Sequence, residues 1–117
     1  MSITLVQDNY SPVTEGDTLI PFSPQFGQYV NGILQAYDLT GLTITMKMQN
    51  ANDTSVSKSG TGTWTIDNAT AGQAHYTWDS ADVDTPGIWT LFIKLTNSGT
   101  GAFVHSFMKT LEIEAAP

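Results

Sequence analysis

Three aspartates, Asp79, Asp82 and Asp84, stand within the single stretch DSADVD. Carboxylate oxygens so close along a chain are the donors that a calcium ion takes. The stretch lacks the glycine and the closing glutamate of an EF-hand loop, so an aspartate-rich turn facing solvent is the plainer reading. His75 and His105 are the only histidines, and the chain has no cysteine. Without a thiolate or a helical H-x-x-x-H pair, a zinc site has little to stand on, and no cofactor is expected. Nothing resembles the G-x-S-x-G setting of a nucleophile, and no glycine-rich turn precedes a helix to cradle phosphate. The residues therefore do not call for an enzyme.

Aromatic side chains are the other source of chemistry. Trp64, Tyr76, Trp78 and Trp89 are flat enough to stack on sugar rings, which makes a carbohydrate-binding or adhesion module the alternative function. Each is in phase with aliphatic neighbours, and that places them in a core instead. Two or more tryptophans in an open groove would favour the sugar reading, and burial of all of them would remove its support.

The composition excludes several partners. Four lysines, no arginine and eleven carboxylates give a net charge of −7 over 117 residues. A phosphate backbone needs a basic surface, so nucleic acid is not expected, and an anionic membrane is disfavoured for the same reason. The opening residues MSITLVQDNY show neither a basic nor an apolar segment of a signal peptide, which predicts synthesis in the cytoplasm of the producing cell. The length fits one domain over residues 1–117, large enough to bury a core without disulfides.

The elements that must position these residues read as strands. Thr63–Thr96 holds all three tryptophans in three alternating runs, separated by turn signals at Asp67–Gly72 and Asp79–Gly87. Leu42–Gln49 alternates cleanly, with Leu42, Ile44, Met46 and Met48 on one face. Shorter strands are expected at Ile3–Gln7, Asp17–Phe22 and Ile33–Tyr37, with an edge strand around Ser55–Lys58. A last long strand spans Phe103–Glu114, with Phe103 facing inward and a bulge near Phe107–Lys109 to restore register. Asp38-Leu39-Thr40-Gly41 and Asn97–Gly101 read as turns. Ser23–Gly32, with Pro24, Gly27 and Gly32, reads as a long loop whose aromatics cover one end of the fold. Its functional reading is a contact loop carrying Phe26 and Tyr29. Seven to nine strands with frequent turns make an all-β, two-sheet Greek-key sandwich, with a small closed barrel as the alternative.

Four local patterns carry a family resemblance: Gly16-Asp17-Thr18, the Asp38–Gly41 turn leading into a strand, Gly72-Gln73-Ala74-His75-Tyr76-Thr77-Trp78, and Asp82 followed by Pro86-Gly87-Ile88-Trp89. The chain from about Gly16 to Glu114 resembles the N-terminal immunoglobulin-like domain of phage baseplate upper proteins. The resemblance implies an immunoglobulin-like sandwich in a virion, with structural and assembly roles and no catalysis. Its partners would be other virion or tail subunits, or further copies of itself. Gly87-Ile88-Trp89-Thr90-Leu91 is also similar to the "A/G-x-Y-x-C" strand entry of immunoglobulin domains. Trp89 replaces the tyrosine, which rules out a hydroxyl corner bond there, and Leu91 stands where a disulfide cysteine would. Contacts with partners are expected at Phe26 and Tyr29, at the weakly protected edge near Val56, and at Asp82 and Asp84 in the loop between Trp78 and Trp89.

Overall fold

The computed structural model describes residues 3–7, 13–18, 21–105 and 109–116. Its eleven strands among these residues are β1 (Thr4–Gln7), β2 (Val13–Thr14), β3 (Gln25–Val30), β4 (Ile33–Ala36), β5 (Leu42–Asn50), β6 (Ser57–Ser59), β7 (Thr63–Asn68), β8 (Gln73–Thr77), β9 (Gly87–Asn97), β10 (Phe103–His105) and β11 (Lys109–Glu114). A single 3-10 turn, Ser80–Asp82, is the only helical element among the described residues. One sheet runs in the order β1-β3-β8-β7, with β4 pairing β3. The other runs β2-β11-β9-β5-β6, with β10 pairing β9. The two sheets pack face to face as a sandwich.

Period-two patterning explains the central pair. Along β5, Ile44, Met46 and Met48 are buried while Thr43, Thr45 and Lys47 are exposed. Along β9, Trp89, Leu91, Ile93 and Leu95 are buried. These strands pair antiparallel along their whole length, from Leu42 opposite Asn97 to Asn50 opposite Trp89. The facing sheet contributes Phe26, Ala74 and Tyr76 to the same core, to which Phe22, Trp78, Leu39, Val83, Ile3, Val13, Leu111 and Ile113 also belong. Full burial of a large apolar side chain stabilises by roughly 1.5–3 kcal/mol, so this cluster dominates the folding energy. Within it Tyr76 meets Trp78 edge to face at 5.0 Å and Trp64 at 5.2 Å.

Turn chemistry closes the ladders. Asp38 accepts the Thr40 backbone N–H at 2.9 Å, and Gly41 adopts φ 76° just before β5. Asn97 likewise accepts the N–H groups of Gly99 and Thr100 through its side chain.

The fold departs from the sequence expectations in four places. Eleven strands replace the expected seven to nine. Much of Ser23–Gly32 is β3 rather than a loop. Asp17 and Thr18 lie outside any strand, and Phe22 forms an isolated bridge with Tyr76. In the final strand Val104, not Phe103, packs toward the core. The physical reason is pairing: Val104 lies opposite buried Leu95, whereas Phe103 lies opposite Thr96 on the outer face. There the Lys94 ammonium sits 4.1 Å from the Phe103 ring centroid. Of the expected bulge near Phe107–Lys109, residues 107 and 108 lie outside the described residues.

Candidate interaction surface

A hairpin stands off the body of the sandwich. The stretch Phe26-Gly27-Gln28-Tyr29-Val30-Asn31-Gly32-Ile33-Leu34-Gln35-Ala36 folds back on itself at Asn31-Gly32. Both turn residues take positive φ, 53° and 78°, the geometry of a type I′ turn that matches the twist of the flanking strands. Tyr29 opposes Leu34, and Val30 opposes Ile33. Opposed residues share a face, so each face of the tip carries two apolar side chains. β3 is buried at Phe26 and Gly27 and emerges by Tyr29, while every residue of β4 is exposed. Tyr29 is 67% exposed and Ile33 63%. Four of the eight large exposed apolar side chains among the described residues belong to this tip. That concentration distinguishes a contact site from scattered surface apolar residues.

The base of the arm is held rigidly. The Phe26 N–H donates to the Gly72 carbonyl at 2.8 Å, and the Tyr37 N–H donates to the Phe26 carbonyl at 3.0 Å. Gly72 has φ 70°, and a Cβ there would collide with the Phe26 carbonyl oxygen and press on that of Tyr37. Phe26 itself is 0% exposed. Its expected contact role is therefore corrected: it anchors the arm in the core, and Tyr29 is the residue of that pair that meets solvent.

The acidic loop does something different from what its spacing suggests. Asp82 is completely buried, so it is not a surface contact residue. Its Oδ1 accepts the Thr61 N–H at 2.8 Å, and its Oδ2 accepts the Tyr76 hydroxyl at 2.7 Å and the Asp79 N–H at 3.0 Å. Asp79 caps the 3-10 turn in a reciprocal box with Asp82, and its other oxygen accepts the Thr61 hydroxyl at 2.8 Å. Buried polar groups are retained when fully bonded, and this carboxylate meets that condition. The Tyr76 hydroxyl also accepts the Gly62 N–H at 2.7 Å. Burial, reinforced by the hydrogen bond to Asp82, raises the Tyr76 phenol well above its ordinary value. Asp84 remains exposed, engaged by the Thr85 hydroxyl at 2.9 Å and by the Lys58 ammonium at 3.1 Å. These hydrogen bonds hold its carboxyl below the usual range. Lys58 also donates to the Ala81 carbonyl at 2.7 Å and lies 4.9 Å from the Trp89 ring centroid. Among the described residues no three acidic or histidine side chains are arranged to hold a metal ion, and the three aspartates do not converge.

The remaining candidates separate by burial. Trp78, Trp89 and Tyr76 are in the core, and Trp64 is partly buried against it. A groove of about 1050 Å³ runs between the β5 and β7 sides of the sandwich, bordered by Leu42, Trp64, Ile66 and Lys94. Trp64 is the one tryptophan that borders it, beside Tyr76 and Phe92, so the pair of tryptophans that would favour the sugar reading does not line this groove. The Trp89 indole N–H donates to the Thr85 carbonyl at 3.0 Å. A corner bond four residues back thus forms through nitrogen where a hydroxyl is missing. His75 contacts both oxygens of Asp67 at 2.9 Å on β7. Val56 is 44% exposed just before β6 and pairs its N–H with the Asp53 carbonyl.

No protein-family model and no curated protein matches the chain. The function therefore rests on the residues themselves. Of the expected contact residues, Tyr29, Val56 and Asp84 reach solvent, and only Tyr29 sits within an apolar cluster. Sequence reading missed Ile33 and Leu34 as its companions. The Asn31-Gly32 dipeptide between apolar residues was the signal that would have found them.

Proposed function

We propose that the chain is a non-enzymatic structural module of a phage tail or baseplate, and that it docks to neighbouring virion subunits through the β3–β4 hairpin. The observation that carries this reading is the cluster of Tyr29, Val30, Ile33 and Leu34 exposed at the tip of an arm whose base is locked to the core. An apolar cluster in solvent costs solubility and persists where a partner covers it.

Strand order supports an immunoglobulin-like Greek key. The order β1-β3-β8-β7 corresponds to strands A, B, E and D of such a sandwich, and β11-β9-β5-β6 corresponds to G, F, C and C′. The two-residue β2 runs parallel to β11, as a split first strand would. On this assignment the hairpin occupies the B–C connection, which lies at the binding end of immunoglobulin variable domains. Binding there uses an edge and apolar side chains, so no catalytic group is required.

The test is incorporation. In the producing cell the chain is expected to co-sediment with a large particle. The double substitution Tyr29→Ser with Ile33→Ser should leave the domain folded, because both residues are exposed, and should release it from the particle. A wild-type chain that sediments free, or a double variant still bound to the particle, would refute the assignment.

A further inference from the structure

The groove beside β5 follows a gap in its sheet. β6 pairs with Lys47–Gln49 of β5, and the chain then crosses to the other sheet at β7. Among the described residues no strand covers the Leu42–Thr45 half of β5 on that side. The Asn50 N–H donates to the Val56 carbonyl and the Gly60 N–H to the Met46 carbonyl, so even-numbered residues of β5 turn their backbone groups toward β6. By the same alternation the N–H and C=O of Ile44 face the uncovered side. The groove is lined by Leu42 through Lys47 without interruption, residues that alternate between the two faces of the sheet. A cavity reaches both faces of one strand only around an open edge.

The two sides of that edge differ in chemistry. On the inner side Leu42 and Trp64 are partly buried, and Ile66, which shares the inward face of buried Ala74, is 37% exposed. On the outer side stand Lys47 and the row Thr45, Lys94 and His105. No aspartate or glutamate lines the groove, and none occurs in β5, β9 or β10, in a chain with eleven carboxylates. Lys47 has no ion-pair partner among the described residues. We propose that the groove is a strand-addition site for an extended segment of a partner protein in which apolar and acidic residues alternate. The segment continues the line of β6, antiparallel to β5. Its residues opposite Leu42 and Ile44 face inward and seat apolar side chains against Leu42 and Ile66. Its residues opposite Thr43 and Thr45 face outward and bring carboxylates to the Lys47 ammonium. A lysine at an edge deters uncharged strands, and here it favours a strand that carries the opposite charge. A phosphate chain would satisfy the lysines but leave the backbone edge and the apolar side unused.

This surface is separate from the hairpin, and the test uses the purified chain, so its failure leaves the hairpin reading as it stands. The probe is an acetylated, amidated hexapeptide of alternating valine and glutamate, titrated from about 10 µM to about 3 mM to cover weak association. The Ile44 amide should shift in the two-dimensional NMR spectrum and exchange at least about fivefold more slowly near saturation. Putting lysine for glutamate in the peptide, or Lys47→Glu in the chain, should weaken binding at least about fivefold, the scale of one surface ion pair. Lys47 is exposed, so Lys47→Glu should keep the wild-type unfolding midpoint, and it should bind the lysine peptide more tightly than wild type does. The backbone supplies a second control. A valine that faces the groove turns its N–H to β5, and the neighbouring glutamate turns its N–H to solvent. N-methylation of the valines should therefore abolish binding, whereas N-methylation of the glutamates should be tolerated. No binding at about 3 mM, equal losses from the two methylations, or equal binding of the glutamate and lysine peptides would overturn the proposal. Inorganic polyphosphate that reproduces the Ile44 shift and competes with the peptide would also overturn it, by making the surface an anion site only.

Discussion

Asp82 shows how a residue that looks reactive is used for structure. Its carboxylate lies in the core and takes donors from Thr61, Asp79 and Tyr76. It joins the β6–β7 connection, the loop before β9 and strand β8 at one point. Tyr76→Phe removes one of those donors and leaves the Gly62 N–H without its acceptor, at a cost of about 1–3 kcal/mol near neutral pH. The phenol of Tyr76 is raised in the folded state, while in the unfolded chain it titrates near its ordinary value of about 10. Its contribution is therefore complete below about pH 10 and is lost as pH rises above that value. Denaturant unfolding of wild type and Tyr76→Phe should show a constant gap up to about pH 9 that narrows at higher pH. A gap that widens with pH would contradict the assignment. The spacing of Asp79, Asp82 and Asp84 was legible, but its meaning was not. A ligand cluster and a capping box place aspartates at the same short intervals, and only burial of one of them separates the two.

At the scale of elements, β5 and β9 were readable because one face of each is apolar and the other polar. Of the β3–β4 hairpin, β4 was expected over Ile33–Tyr37, while β3 and the turn that joins them were not. Its tip carries apolar residues on both faces, which removes the period-two signal, and Pro24, Gly27 and Gly32 resemble loop residues. Phe26 and Gly72 fix its base, and that junction sets the direction of the arm. Gly72→Ala forces a side chain into both a left-handed conformation and the Phe26 carbonyl. It should destabilise the domain by more than about 1 kcal/mol, the scale of the conformational penalty alone. Gly32→Ala, with nothing near the added methyl group, should cost only that penalty. Equal midpoints for the two variants in thermal unfolding would show that the close approach at Gly72 is unimportant.

The whole molecule combines a closed core with one open extremity. Trp78, Trp89 and Tyr76, which could have formed a binding platform, fill the space between the sheets. Half of the large apolar side chains that remain exposed among the described residues gather on the arm, in a long stretch without charge. The sandwich was legible from turn spacing and alternation. The contact surface was not, since exposure depends on which strands find neighbours in the folded chain. The account stands or falls on whether the edge of β4 is covered when the protein is at work. Amide hydrogen exchange measures this directly, residue by residue, in the free chain and in the assembled particle. The amides of Leu34 and Ala36, which alternate with those of Ile33, Gln35 and Tyr37 and face away from β3, should exchange quickly in the free chain and slowly in the assembly. Unchanged exchange along β4, with protection gained at β6 or β7 instead, would contradict the account.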